Sequence, residues 1–286
     1  MLKVLLLFCL VLKVTAEEDF RVVTLDEGDV KGYKYWNGEF YEFYGVPYAS
    51  APRGRDRFKG PLPPKPWKGV LEAKDNTIGC VQQYYTNDES EVTTVGIEEC
   101  LVLNLFVPKV ATEKNLVPVL VYIHSGAFAI GHGNMGKYNY LAKHDVLVIS
   151  WNYRLGALGF LCLGTEEIPG NAGMKDQVAA LRWINKNIQK FGGDPKKVTV
   201  AGFSVGAGMA ELLALSKSTE GLIDKIILDS GSALSPWAVS RDPIRLAKNI
   251  AYSLGFNETG DIKDLTKFYL NATVDSLALK KPEFLH

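Results

Sequence analysis

Histidine is scarce in this sequence. Its 286 residues hold four: His124, His132, His144 and His286. Cysteine is equally sparse at four, Cys9, Cys80, Cys100 and Cys162, which excludes a small scaffold stapled by many disulfides. Charge of either sign is not in excess. Lys plus Arg and Asp plus Glu each number 32, so the net charge is formally zero and no basic surface calls for nucleic acid or an anionic membrane. Apolar runs of membrane-spanning length are missing. The run Val4–Leu12 has nine residues, against about 20 needed to cross a bilayer. No internal repeat and no low-complexity tract is present. What the chain does have is 47% hydrophobic residues, enough for a large core and too many for a disordered chain.

The first 16 residues read as a secretory signal. Lys3 gives the positive start, Val4–Leu12 the apolar centre, and Val14-Thr15-Ala16 small residues at a cleavage site. Without them the chain carries 30 basic against 32 acidic residues, or −2. Residues 17–286 are expected to lie in one domain, destined for an extracellular compartment. Cys9 leaves with the signal, and three cysteines remain. An odd count in a secreted protein means one disulfide with a free thiol, or a partner elsewhere. A bridge between Cys80 and Cys100 would restrain the polar segment around Asn87-Asp88-Glu89. Cys162, in Gly159-Phe-Leu-Cys-Leu, reads as a buried small residue. Two sequons, Asn257-Glu-Thr259 and Asn271-Ala-Thr273, agree with secretion.

Residues 20–50 alternate in character and predict antiparallel strands, with turns at Glu27-Gly-Asp29 and Trp36-Asn-Gly38. Residues 51–68 are rich in proline and arginine and read as irregular surface. Leu101–Val107 is a further strand. Val117–Ile123, Val146–Trp151 and the shorter Ile226–Leu228 fit strands buried on both faces of a mainly parallel sheet. Helices are expected between them. Met174–Ile188 carries Val178, Leu181, Ile184 and Ile188 at spacings of three and four, and Gly192-Gly193 stops it. Val205–Leu215 and Pro243–Leu254 are two more, and the piece after about residue 255 is more polar and poorly defined. Strands alternating with helices imply an α/β sheet.

Val198–Gly208 is the most informative segment. A strand-like run feeds Gly202-x-Ser204-x-Gly206, and a helix-forming run follows. G-x-S-x-G on a strand-to-helix turn is the nucleophile elbow of α/β-hydrolases. The turn is tight, so the positions two residues either side of Ser204 must lack bulk. Acyl transfer also needs N–H donors for the carbonyl oxygen. The strand Val117–Ile123 is followed by His124-Ser125-Gly126-Ala127-Phe128, in the place of the Gly-rich oxyanion loop. The candidate donors are the N–H groups of Gly126, Ala127 and Val205; His124 reads as a residue that holds the loop. A serine nucleophile also needs a histidine base and an acid to orient it. Three of the four histidines precede Ser204, and His286 is the terminal residue, a poor seat for a general base.

With these motifs in place, the chain resembles the type-B carboxylesterase and cholinesterase-like family of α/β-hydrolases. The resemblance runs from about Arg21 to at least Trp237. It is carried by Glu98–Pro108, Asn152–Phe160, Gly170–Gln177, Phe191–Pro195, the elbow, and Asp229–Trp237, which leads to the acyl pocket. It implies an α/β-hydrolase fold with a mainly parallel central sheet, an antiparallel N-terminal part, and a C-terminal portion beyond these residues. It implies a Cys80–Cys100 disulfide, Ser204 as the catalytic nucleophile, and an acid and a histidine far downstream, which cannot be placed on Glu211, Asp224 or Asp229. It implies hydrolysis of a carboxylic ester by water, with no metal and no organic cofactor, and the apolar Phe128, Phe203 and Val205 suggest a small lipophilic one. Oligomeric state is not legible. The chain departs from the family at Ser125, usually glycine, and at Val205, usually smaller. Phe203 replaces a polar residue and favours apolar substrates. A second reading, a non-catalytic adhesion or ligand-binding relative, also accounts for the missing base.

Overall fold

Short apolar runs bounded by turn residues become strands along most of the chain. The computed structural model describes residues 19–85, 92–136, 139–257 and 260–278. The expected signal, Cys9, Asn87–Glu89, Thr259 and His286 lie outside these. In chain order the strands are β1 (Phe20–Thr24), β2 (Asp29–Lys34), β3 (Phe40–Pro47), β4 (Val70–Glu72), β5 (Gln82–Tyr85), β6 (Val92–Val95), β7 (Val102–Pro108), β8 (Val117–Ile123), β9 (Leu147–Trp151), β10 (Gly193–Phe203) and β11 (Lys225–Asp229). The helices are α1 (Asn139–Ala142), α2 (Gly156–Phe160), α3 (Ala172–Asn187), α4 (Val205–Leu215), α5 (Pro243–Ser253), α6 (Ile262–Asn271) and α7 (Val274–Leu277).

Nine described strands form one sheet in the order β1-β2-β3-β7-β9-β8-β10-β11, with β4 beside β2. From β1 to β9 each neighbour on that path is antiparallel. From β9 through β8 and β10 to β11 all are parallel, as crossover helices require. The expected split between an antiparallel N-terminal part and a parallel centre is therefore observed. β7 and β9 are buried at every residue because each has strands on both sides and cover on both faces. The main core gathers around Leu103, Leu105, Val121, Ile149 and Val200, all fully buried.

Three expectations need correction. Lys225–Asp229 forms a strand, but every residue in it is exposed, Ile227 at 54%. Among the described residues β11 pairs with β10 alone, so it is an edge and not a strand buried on both faces. Residues after 255 are not structureless. α5, α6 and α7 pack a second core around Ile250, Phe256, Leu265, Tyr269 and Leu277. Cys162 is half-buried and free, not buried. A disulfide joins Cys80 to Cys100, which are 20 residues apart.

One buried ion pair ties the layers together. Arg154 donates from Nε and Nη2 to Asp176 on α3, at 2.8 and 2.6 Å, and from Nη1 to the carbonyls of Arg57 and Lys59. Arg57 in turn donates to the carbonyls of Tyr269 and Ala272 at the end of α6. The proline-rich segment is thus clamped between the two cores. Removing one member of such a pair strands a buried charge, which is what makes it costly.

Candidate active site

β10 and β8 lie side by side and parallel, with Gly202 opposite Ile123. Their carboxyl ends therefore deliver the elbow and the Gly126 loop to the same rim of the sheet, where ligands bind in open α/β folds. Ser204 stands on the turn with φ 55° and ψ −121°, a conformation that costs an L-residue on the order of 1–3 kcal/mol and survives only where its surroundings impose it. They do so here. A Cβ on Gly202 would sit 2.2 Å from the Gly206 carbonyl carbon, and a Cβ on Gly206 would sit 2.4 Å from the Ile123 oxygen. The Ser204 N–H donates to the Asp229 carbonyl at 2.8 Å, and its carbonyl accepts from Ala207 and Gly208 to start α4. Both elbow glycines predicted from the sequence are brought to the serine.

The second loop is also forced. Gly126 has φ 122°, and a Cβ there would fall 1.8 Å from the Ile130 oxygen. Ala127 and Phe128 follow with φ 51° and 60°. The Gly126 carbonyl turns inward to accept from Ala129 and Ile130, both at 2.9 Å. Among the described residues the N–H groups of Gly126, Ala127 and Val205 meet no protein acceptor. Val205 is buried at the first turn of α4, where helix N–H groups point outward and the dipole favours negative charge. These three groups are the donors the sequence nominated.

His124 holds the loop as expected. It is fully buried and stacks on Tyr153, with ring centroids 4.3 Å apart. Its Nδ1 lies 2.7 Å from the Ser125 carbonyl; a carbonyl only accepts, so Nδ1 carries the proton. Tyr153 donates to the His124 carbonyl at 3.0 Å. Burial depresses the His124 pKa to about 4, against the pull of the Ser125 carbonyl, so the ring is neutral and its Nε2 is left without a partner among the described residues. Sequence reasoning did not find Tyr153, nor Asn152, which bonds the Gly133 N–H and the Ile78 and Cys100 carbonyls and so ties the disulfide to the loop. The run Asn152-Tyr-Arg was visible as a family segment, but nothing in it states these partners.

No described side chain hydrogen-bonds the Ser204 hydroxyl. His132 accepts from the Asn134 N–H, and His144 is exposed before β9, at the opposite end of the sheet from Ser204. Of the carboxylates after the serine, the three weighed in the sequence are occupied elsewhere. Glu211 accepts from the Ala233 N–H at 2.7 Å, Asp229 from the Ser230 hydroxyl, and Asp224 pairs with Lys225. Phe203, beside the nucleophile, is 42% exposed. Asn257 and Asn271 are both exposed.

Known proteins resemble this chain over most of its length. The chain is 37% identical over 267 residues to esterase FE4 of Myzus persicae, covering 87% of this chain and 47% of that one. It is 36% identical over 267 residues to neuroligin-3 of Mus musculus, covering 79% of this chain and 32% of that one. Among solved structures it superposes on juvenile hormone esterase from Manduca sexta, determined with OTFP covalently attached. That match has a TM-score of 0.79 and 33% identity and covers 91% of this chain and 50% of that one. The chain thus spans about half the length of the esterases it matches, or less. The family model for the carboxylesterase family matches residues 19–286, and the chain belongs to that family.

Proposed function

We propose that this chain is the N-terminal part, with residues 17–286 in a single domain, of a secreted serine esterase. Ser204 Oγ attacks the ester carbonyl, and the N–H groups of Gly126, Ala127 and Val205 receive the oxyanion. The alcohol leaves, and water then releases the acyl group from Ser204. The observation that carries this reading is the backbone of Ser204, held at positive φ where the glycines allow close approach, on the same sheet rim as three N–H groups that meet no acceptor among the described residues. The acid and the histidine come from polypeptide beyond His286; the half-length match to the esterases and the open β11 edge both support that placement. No metal or organic cofactor enters the scheme. Phe203 supports a lipophilic ester as substrate. The signal-like Met1–Ala16 and the exposed Asn257 and Asn271 support secretion and glycosylation.

A second reading is favoured by one observation: neuroligin-3 is also a relative at 36% identity, and no described base meets Ser204. It makes the protein a non-catalytic binding partner. A fluorophosphonate probe on the full-length protein separates the two. Labelling at Ser204 that vanishes in Ser204→Ala supports the esterase. A folded full-length protein that takes up no label belongs to the second reading.

A further inference from the structure

One side chain from outside the site grips the candidate oxyanion loop. Gln82 opens β5, two residues after the disulfide cysteine Cys80. Its Nε2 donates to the Gly131 carbonyl at 2.9 Å and to the Cys80 carbonyl at 3.0 Å. Its Oε1 accepts from the Gly131 N–H at 2.8 Å. Among the described residues no other side chain hydrogen-bonds the backbone of residues 126–131.

Gly131 is buried, at φ 117°, and a Cβ there would fall 2.5 Å from His124 Nδ1 and 2.7 Å from the Ser125 carbonyl oxygen. Its N–H lies in the same rigid peptide plane as the Ile130 carbonyl. That carbonyl oxygen is the atom against which Gly126 packs, 1.8 Å from where a Cβ would be. The Ile130 N–H in turn donates to the Gly126 carbonyl at 2.9 Å. Gln82 therefore holds one edge of a plane whose other edge sets the position of Gly126. A primary amide suits this task because it presents a donor and an acceptor side by side, the complement of one residue's N–H and C=O. A carboxylate matches only the N–H and sets its other oxygen against two carbonyls. An alanine matches neither and leaves two buried backbone groups of Gly131 without partners, so the plane turns to find others.

Resting on the esterase reading, we propose that Gln82 is a positioning residue for ester hydrolysis. It acts through the Ile130–Gly131 peptide and not on the reacting atoms. By fixing that plane it aims the N–H groups of Gly126 and Ala127 at the carbonyl oxygen as negative charge develops there. The charge exists only in the transition state, so losing the aim costs turnover and leaves ground-state binding in place.

The test uses the full-length protein with Gln82→Ala and Gln82→Glu. Fluorophosphonate titration, run to completion, counts the reactive Ser204 sites, and hydrolysis of p-nitrophenyl acetate gives KM and kcat per counted site. Gln82→Ala should lower kcat per site by about 10- to 100-fold while KM stays within about threefold. A trifluoromethyl ketone takes up Ser204 Oγ at its carbonyl carbon and becomes an oxyanion. Its affinity should weaken by a factor close to the loss in kcat/KM. Gln82→Glu keeps the side-chain length and the bond from the Gly131 N–H, and it decides the question where the alanine variant does not fold. Its kcat per site should also fall at least about tenfold at neutral pH. A role confined to bracing the β5–β6 hairpin would reduce the number of titrated sites and leave kcat per site at the wild-type value, and that result overturns the inference. Wild-type turnover with unaltered kcat per site in the variants thus removes only the Gln82 assignment. A wild-type protein that titrates no serine and hydrolyses no ester removes the esterase reading and the inference with it.

Discussion

β8 and β11 flank the same strand, β10, and pair with it in the same parallel sense, yet they live in different environments. In β8 every second residue is buried, with exposed Pro118 and half-covered Leu120 and Tyr122 between, and its carboxyl end packs directly under the elbow. β11 is exposed at every residue. The candidate oxyanion loop rises from the β8 side, and its Gly126 turn is fixed by contacts within the chain. On the β11 side the Asp229 carbonyl holds the Ser204 N–H, but no side chain reaches the serine hydroxyl among the described residues. The lesson is that the electrostatic part of an acyl-transfer site can be built from local backbone geometry, while the proton-transfer part depends on residues distant in sequence. The first needs only glycine, tight packing and a helix N-terminus. The second needs a histidine, and among the described residues none bonds the Ser204 hydroxyl.

The sharpest way to break the β8 side is Gly126→Ala. Its Cβ would lie 1.8 Å from the Ile130 oxygen, at a backbone angle that an L-residue resists. The loop must shift, and its N–H groups move off the carbonyl oxygen. On the esterase reading, kcat of the full-length protein should fall by about 10²–10³, the cost of one lost oxyanion donor. Labelling of Ser204 by a fluorophosphonate should slow in parallel, while the circular dichroism spectrum stays the same. A variant with unchanged kcat would mean that the oxyanion is held elsewhere.

His124 gives a smaller effect, read as a pH dependence of stability. Its pKa falls from 6.5 to about 4, first through burial and then through nearby His132, with the Ser125 carbonyl acting in the opposite direction. Between those values the unfolded chain binds a proton that the folded chain refuses. Stability is therefore lost as pH falls from about 6.5 to about 4, by on the order of 3 kcal/mol from this one ring. His124→Gln has no ring to titrate. The difference in urea midpoint between wild type and variant should shrink steadily as pH drops through that window. A constant difference would show that the ring is not kept neutral by burial.

How far the sequence reached follows the same division. The strand Val117–Ile123 and the helix Val205–Leu215 have the bounds read from apolar pattern. So does the role of each elbow glycine, because the motif encodes a short-range steric need. α3 starts two residues before the predicted Met174, since Ala172 and Gly173 carry no periodic signal and the helix opens from Asn171 at φ 57°. The exposure of β11 was not legible. Ile226, Ile227 and Leu228 look like any buried run, and only a neighbour count in space separates a central strand from an edge. α6 and α7 were missed for a related reason. Their apolar residues are spaced among Lys, Asp and Thr, and what buries them is the packing of α6 on α5 and of α7 on α2, the latter far away in sequence.

The smallest predicted effect is also the one that tests what β11 is for. Ile227→Lys places a charge on an edge strand at a residue already 54% exposed. In the 286-residue chain it should change stability by no more than about 0.5 kcal/mol, because the side chain is already more than half in water and the lysine stem can keep much of the remaining contact. A lysine on an open edge also discourages strand pairing between copies, so aggregation on concentration should decline. In the full-length protein the outcome depends on whether further polypeptide covers β11, as the esterase reading proposes. If it does, the same lysine must be desolvated or the cover displaced, and the urea midpoint drops clearly. If the lysine is as harmless there as in the shorter chain, the edge stays open in the whole protein. The base for Ser204 would then have to arrive from some other direction.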